Sequence, residues 1–399
     1  MDGSRFIPDF RLSIGGTPVP AELRASVSSV TLVSGLEGAD RVEITLVNDA
    51  LRWLDNPLFA LDTPVTLSLG YADTGTQQVF VGQIVGFGAA FPSGAAPTVT
   101  VTSQDARYRL AQGNKVRWFG IPIPSIGNFP LPDIATAPIV SLENLLLPVI
   151  DPVGAALSIL LGGAEAVSAI ADPGDAQKFI RKQANESDYD FLTKIAKENG
   201  WEMVIDHTGP LGGHLLHFFS PLGNLQPDVA LTYGASLIDF TPRISNVGQI
   251  FAVSGYVWVP PIKLVFNITL GFDWDRMALT LAIYPGGVAF GPSTPTADLI
   301  DDPLTLATAP RKLISELIPK LNKRLTAAGS TLGDPNIQAG KVLQIGGVGV
   351  QFGGLWRVTE ATHTIDSSGY RTHFELRKEI WFGSIPAPAQ GAIPVRLSF

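Results

Sequence analysis

Cysteine is absent from the 399 residues of this chain. Without thiols the protein forms neither disulfides nor thiolate metal sites, and the absence leaves open whether it works inside or outside a cell. Charged residues are also scarce, at 16% of the chain with a net charge of -8, and no basic run occurs. This balance argues against a nucleic-acid partner, because binding to phosphates requires concentrated Lys and Arg.

The chain also lacks a long uncharged apolar run. Its most apolar segment, Val153–Ile170, is interrupted by Gly162-Gly163 and by Glu165. The remaining uncharged run is too short for a stable membrane span, so the segment predicts a buried helix or an assembly surface. The first residues, Met1–Arg5, lack the charged region and apolar run of a signal peptide, and we expect no Sec-type export.

Catalytic signatures are missing as well, including the phosphate-binding loop, the metalloprotease histidine pair and the Gly-x-Ser-x-Gly elbow. His207, His214 and His217 lie close in sequence. His214 and His217 are three apart in a predicted strand, so their side chains face opposite sides of it. The three imidazoles therefore make a poor zinc site and are predicted to be surface or hairpin histidines.

Asp188 and Asp190 could form the carboxylate pair of a glycosidase. Their place at a predicted helix start already explains them by capping and by the helix dipole. The seven tryptophans are scattered, which favours core packing over a carbohydrate platform. The sequence therefore predicts no catalytic, cofactor-binding or metal-binding residue.

The chain is rich in runs that alternate apolar and polar residues, as half-buried strands do. Val65–Asp105 reads as a three-stranded meander, and the same order of runs recurs from Lys341 to Arg377. Two related β-modules suggest a duplication. In the last run Arg371, His373, Glu375 and Arg377 share one parity, which predicts a wet face opposite a dry one.

Three helical patterns separate these modules. Ser187 with Asp190 satisfies a capping box, and Gly200 marks the end of that helix. Five prolines exclude a regular helix or interior strand over Ile121–Pro138, while Ser141 could cap a short helix after them. Pro310 suits the first turn of a helix that runs to Gly329, with Pro319 kinking it.

Three blocks of the chain together resemble a known family. They are the segment Asn185–Leu192 continuing to Gly200, the closing stretch from Asp334 through Gly369–Thr372, and the early stretch from Asn48-Asp49 to Tyr71. In order and spacing they resemble the late control gene D family, the baseplate hub of contractile-tailed phages and contractile injection systems, which is related to the hub part of type VI valine-glycine-repeat spike proteins.

The resemblance implies a mainly β fold with α+β insertions, in which two tail-tube-like antiparallel β-barrel modules related by duplication flank an α+β domain. The expected divisions are 1–115 for the first barrel, 116–243 for a Pro-rich arm and the α+β domain, 244–275 for the start of the second barrel, 276–334 for an insertion and helix, 335–383 for the rest of that barrel, and 384–399 for an extended tail.

The implied function is structural, without enzymatic activity or cofactor. A homotrimer would adapt a six-fold tail tube above to a three-fold spike below, with the spike a separate polypeptide and other baseplate proteins as neighbours. The protein would be made in the host cytoplasm and reside in a virion tail baseplate or a contractile particle. A hub-associated cell-wall hydrolase and a carbohydrate-binding tail protein are the alternatives.

Overall fold

The computed structural model describes residues 7–124, 127–171, 179–245, 252–259, 263–273, 278–285, 297–305 and 307–379. This part of the chain is mainly β-structure, and most neighbouring strands run antiparallel, as the sequence predicts. The apolar–polar alternation accounts for it, since every second side chain of such a strand can be buried while the others face water.

The strands are numbered in chain order: β1 Pro8–Ile14, β2 Thr17–Pro18, β3 Val27–Gly35, β4 Arg41–Val47, β5 Pro64–Tyr71, β6 Gly75–Ala90, β7 Thr98–Gln104, β8 Lys115–Ile123, β9 Gly127–Pro130, β10 Leu147–Ile150, β11 Arg181–Glu186, β12 Glu202–Asp206, β13 Leu215–Phe219, β14 Val229–Thr232, β15 Leu237–Ile244, β16 Ala252–Val259, β17 Leu264–Asp273, β18 Ala278–Pro285, β19 Ala297–Leu304, β20 Leu325–Leu332, β21 Val342–Gly346, β22 Gly354–Asp366 and β23 Gly369–Arg377. The helices are α1 Ala21–Ser26, α2 Arg107–Leu110, α3 Asp133–Glu143, α4 Pro152–Ala171, α5 Asp188–Asn199, α6 Ala309–Asn322 and α7 Gly349–Phe352.

One 13-stranded sheet dominates the molecule, in the order β15-β20-β23-β22-β3-β4-β7-β6-β5-β1-β2, with β21 paired to β22 and β14 paired to β21. We name β1–β7 the first module, and β14, β15 and β20–β23 the second module. The resemblance implies two barrels, but within the described residues neither module closes on itself. Instead β3 pairs with β22, so the two modules share one open sheet.

Three smaller sheets lie outside it, in the orders β10-β13-β12, β11-β8-β9 and β18-β17-β16-β19. Separate apolar cores fill the two modules, the α+β domain around α3 and α5, and the four-stranded sheet with α6. The segment 244–275, expected to begin the second barrel, differs from that expectation: β16 and β17 belong to the four-stranded sheet, and β15 is the strand that enters the second module.

The helix carrying the capping box is confirmed. The Asp190 N–H donates to Ser187 Oγ at 3.0 Å, and Gly200 ends the helix with a φ of 66°, in the left-handed region that favours glycine. Two other helix predictions are wrong. α3 contains Pro138, because Ala137 and Val140 on that helix are fully buried in the core of the α+β domain, and packing outweighs the local preference.

The second wrong prediction concerns the end of α6. This helix begins with Pro310 in its first turn and contains Pro319, as predicted, but it ends at Asn322 rather than at Gly329. Leu325, which continues the helical spacing, starts β20 instead. That strand pairs with β15 on one side and β23 on the other, so a two-sided ladder replaces the last turns of the expected helix.

Candidate functional site

β22 is the strand at which the two modules meet. Its first residues, Gly354–Arg357, pair with β21, and Glu360–Ile365 pair antiparallel with Val30–Gly35 of β3. We name this β22–β3 ladder the internal joint. Backbone hydrogen bonds set its register, so the two modules are held at a fixed position relative to one another.

The two modules have the same strand order. It is β3-β4-β7-β6-β5 in the first module and β15-β20-β23-β22-β21 in the second. Register shifts occur at matching places: Val27/Ser29 in β3, Leu237/Asp239 in β15, Ile84/Gly86 in β6 and Val358/Glu360 in β22. Because a bulge is a specific feature of a strand, these shared positions align the modules residue by residue.

The alignment reveals two unlike open edges. β3 matches β15, yet among the described strands β15 pairs only with β20. β22 matches β6, yet beyond Ile84 the strand β6 has a partner in β7 alone within the described chain. Unpaired strand edges are templates for another strand. Phe91, next to the end of β6, is 61% exposed.

The predicted wet and dry faces of β23 are confirmed. Arg371, His373 and Glu375 are exposed, whereas the residues between them are buried. Arg377 departs from this pattern because it is paired, lying 2.6 Å from Glu202 and 2.9 Å from Glu379. The end of β23 is therefore tied to the α+β domain.

A cluster of buried ionisable groups connects the α+β domain to the first module. Arg107 lies 2.5 Å from Asp40 and 2.9 Å from Asp105. The Val81 N–H donates to Nδ1 of His207 at 3.1 Å, so the imidazole proton is on Nε2, which lies 3.0 Å from Asp40. The cluster holds the chain that follows β12 against β6.

The same three acid and imidazole groups form the single set of metal-ligand spacing in the described chain. A protonated Nε2 has no lone pair for a metal, and Arg107 already binds both carboxylates. Burial opposes ionisation, but Arg107 and His207 hold the pKa of Asp40 below its usual value, whereas burial and the neighbouring Asp40 raise the pKa of Asp105. The arrangement fits a set of buried ion pairs that holds the α+β domain against the first module.

The sequence predicts that His207 lies at the surface or in a hairpin. It does follow β12 in the β12–β13 hairpin, but its side chain is buried rather than at the surface, being 2% exposed. Its partner Asp40 is 167 positions away in sequence, so no local pattern could reveal the pair. His214 is exposed before β13, and His217 is half-buried on that strand. The structure does not bring the three histidines into one site.

Asp188 and Asp190 also have structural partners. Asp188 is buried and accepts hydrogen bonds from Lys115 at 2.6 Å and Arg117 at 2.7 Å. Burial opposes ionisation, but these contacts hold the pKa of Asp188 below its usual value. Asp190 accepts from Ser187 Oγ at 2.7 Å. A general acid needs a raised pKa, so Asp188 is unsuited to that role.

Two further surfaces of the described chain are a cleft and an exposed helix face. A cleft of about 970 Å³ lies between α5, α6 and the exposed face of the second module, with Glu202 and Lys197 in its walls. The sequence predicts that the segment of α4 is a buried helix or an assembly surface. In the structure this helix is only partly buried, because it exposes Ile159, Leu160 and Val167 to solvent. Within the described residues no helix combines the length and apolarity needed to span a membrane.

Solved structures with this fold include three bacterial or prophage proteins. The 43 kDa tail protein of prophage MuSo2 from Shewanella oneidensis is 12% identical, with a TM-score of 0.60 over 92% of this chain and 98% of that one. The tail protein of Neisseria meningitidis MC58 is 10% identical, with a TM-score of 0.58 over 94% and 97%.

The third is the E. coli c3393 protein, a component of the type VI secretion system with structural similarity to the T4 bacteriophage tail proteins gp27 and gp5. It is 13% identical, with a TM-score of 0.53 over 94% of this chain and 79% of that one. At such identities the likeness shows a shared fold alone. No family model and no curated protein sequence matches the chain.

Proposed function

We propose that this chain is the structural hub of a contractile tail or injection-system baseplate, and that it works as a homotrimer between a six-fold tail tube and a three-fold spike. The observation that carries the proposal is the presence of two modules with one strand order and matching bulges in a single chain. The fold shared with tail proteins supports the same role.

The geometry fits an adaptor because each chain carries two similar modules, together with one α+β domain and one four-stranded sheet. Closed three-fold symmetry would place six related modules around a ring, alternating between the first and the second kind. Such a ring presents a near-six-fold face to a tube, while the α+β domain and the four-stranded sheet occur only three times. We infer that the modules arose by duplication, and that barrel-like closure requires neighbouring chains.

The partners that follow are a tube protein, a separately encoded spike and other baseplate proteins. The location is a virion tail baseplate or a contractile particle, after synthesis in the host cytoplasm. No step requires a cofactor, nucleic-acid recognition, a stable membrane span or catalysis. The Arg107 cluster and the internal joint fit this static role, because both fix the positions of modules rather than activate a reactive group.

Native mass spectrometry of the purified chain, together with electron cryomicroscopy of assembled particles, tests the proposal. We expect three copies per particle between tube and spike, and two modules per chain that superpose. A different copy number, or a position away from the tube–spike junction, contradicts it.

Two alternatives have their own tests. A cell-wall hydrolase would clear peptidoglycan, and the clearing would be lost with Asp188→Asn, although the ion pairs of Asp188 already give it a structural role. A carbohydrate-binding tail protein would bind glycans as a monomer. Trp118 on β8 is 73% exposed and is the residue to change in that assay.

A further inference from the structure

We infer that the segment Phe87–Phe91 pairs antiparallel with Phe240–Ile244 of a second copy of this chain, extending the large sheet across the subunit boundary. The inference rests on the proposed self-assembly and adds the surface, the register and the direction of the contact. It follows from the internal joint, which contains the equivalent contact within one chain.

The register follows from the bulges. Glu360 follows the shift in β22 as Gly86 follows it in β6, and Ser29 follows the shift in β3 as Asp239 follows it in β15. In the internal joint Ala361 pairs with Ser34 and Ile365 pairs with Val30. Carried to the matching strands, this register pairs Phe87 with Ile244 and Phe91 with Phe240 of the next copy.

The side chains support this register independently of the alignment. On one face it brings together apolar residues only: Phe87, Ala89 and Phe91 from one copy, and Ile244, Pro242 and Phe240 from the other. On the other face it brings together small or polar residues: Gly88 and Ala90 with Arg243 and Thr241. A shift of one residue would place each aromatic ring on the polar side.

The exposed state of both edges also fits a contact between copies. Gly88, Ala89, Ala90 and Phe91 are exposed in the single chain, and Phe240 is only partly buried against the core of the second module. The contact is heterologous, since the β6 edge of one copy meets the β15 edge of the next.

The absence of cysteine makes a clean crosslinking test possible. Chains with Ala90→Cys and chains with Thr241→Cys, carrying different tags, are mixed, allowed to assemble and oxidised. We expect a covalent dimer that contains both tags, and none from either variant alone. Pro242→Cys replaces Thr241→Cys as the matched control, because its side chain points to the opposite face and should crosslink to Ala90→Cys far less.

Native mass spectrometry of the same samples separates the two hypotheses. A trimer without the Ala90–Thr241 crosslink overturns this contact and leaves the hub proposal standing. The crosslink in an assembly of another copy number supports the contact and contradicts the trimer. A chain that stays monomeric and uncrosslinked overturns both.

A second variant tests the apolar side of the contact. Phe91→Asp should weaken self-association by at least about tenfold, because it places a charge against Phe240. The variant should keep the melting temperature of the isolated chain, since Phe91 is exposed there. Val350→Asp is the matched control, at a side chain that is 88% exposed outside both edges. Equal association of the two variants overturns the inference.

Discussion

Acid should weaken the internal joint through His363, which lies on β22 and pairs there with Leu32 of β3. The imidazole is fully buried, and its Nε2 is 2.9 Å from the Ile337 carbonyl oxygen. Nδ1 lies 3.0 Å from Thr372 Oγ1 and from Tyr370 Oη, so the neutral ring is satisfied by its neighbours. Burial lowers the pKa of His363 from 6.5 to about 4.

The sign of the effect follows from this lowered pKa. The unfolded chain takes up the proton first, near pH 6.5, so the contribution of His363 is fully present above that pH. It is lost as the pH falls through the interval between 6.5 and 4. The difference of about 2.5 pKa units corresponds to about 3 kcal/mol of unfolding free energy at most.

Urea unfolding at pH 7.5 and pH 4.5, followed by tryptophan fluorescence, measures the loss. His363→Gln removes the titrating group, so its unfolding free energy should change with pH by about 2 to 3 kcal/mol less than that of the parent chain. His373→Gln is the control, because His373 on neighbouring β23 is exposed. The reasoning is refuted if both variants show the pH dependence of the parent.

Other variants test the Arg107 ion pairs, the helix cap at Ser187 and the Arg357–Glu379 ion pair. Arg107→Leu should cost about 3 to 5 kcal/mol at pH 7, because Asp40 and Asp105 lose their buried guanidinium partner, and less near pH 4, where the carboxylates take up protons. Arg41→Leu at an exposed pair should cost at most about 1 kcal/mol, and denaturation of both variants at both pH values checks the difference. Ser187→Ala should cost about 1 kcal/mol by thermal unfolding, and Thr193→Ala within the same helix should not; equal melting temperatures would contradict the cap. Glu379→Ala should cost about 3 kcal/mol by removing the carboxylate that pairs with the buried Arg357, and unchanged hydrogen exchange in β22 would contradict this.

The sequence predicts features whose causes lie within a few residues. The faces of β23 follow from strict alternation between Arg371 and Arg377, and the start of α5 follows from Ser187 and Asp190. Both depend on local geometry, which a single chain segment specifies by itself.

The features that the sequence does not reveal depend on distant partners. The internal joint links residues near Leu32 to residues near His363 through backbone groups, which every residue carries, so no residue type marks the contact. The end of α6 is likewise set by strands on both sides of β20. Asp40 and His207 are in contact because the α+β domain packs against the first module.

The two unlike edges also constrain how an assembly could grow. Among the described strands, a single chain has one open β15 edge and one open β6 edge. Adding a second chain through the inferred contact covers one edge of each chain and leaves the pair with one of each again. The number of β15 and β6 edges without a neighbouring copy therefore stays constant during growth and falls to zero only when a ring closes. A change that altered the angle at the internal joint would turn a closing ring into a filament.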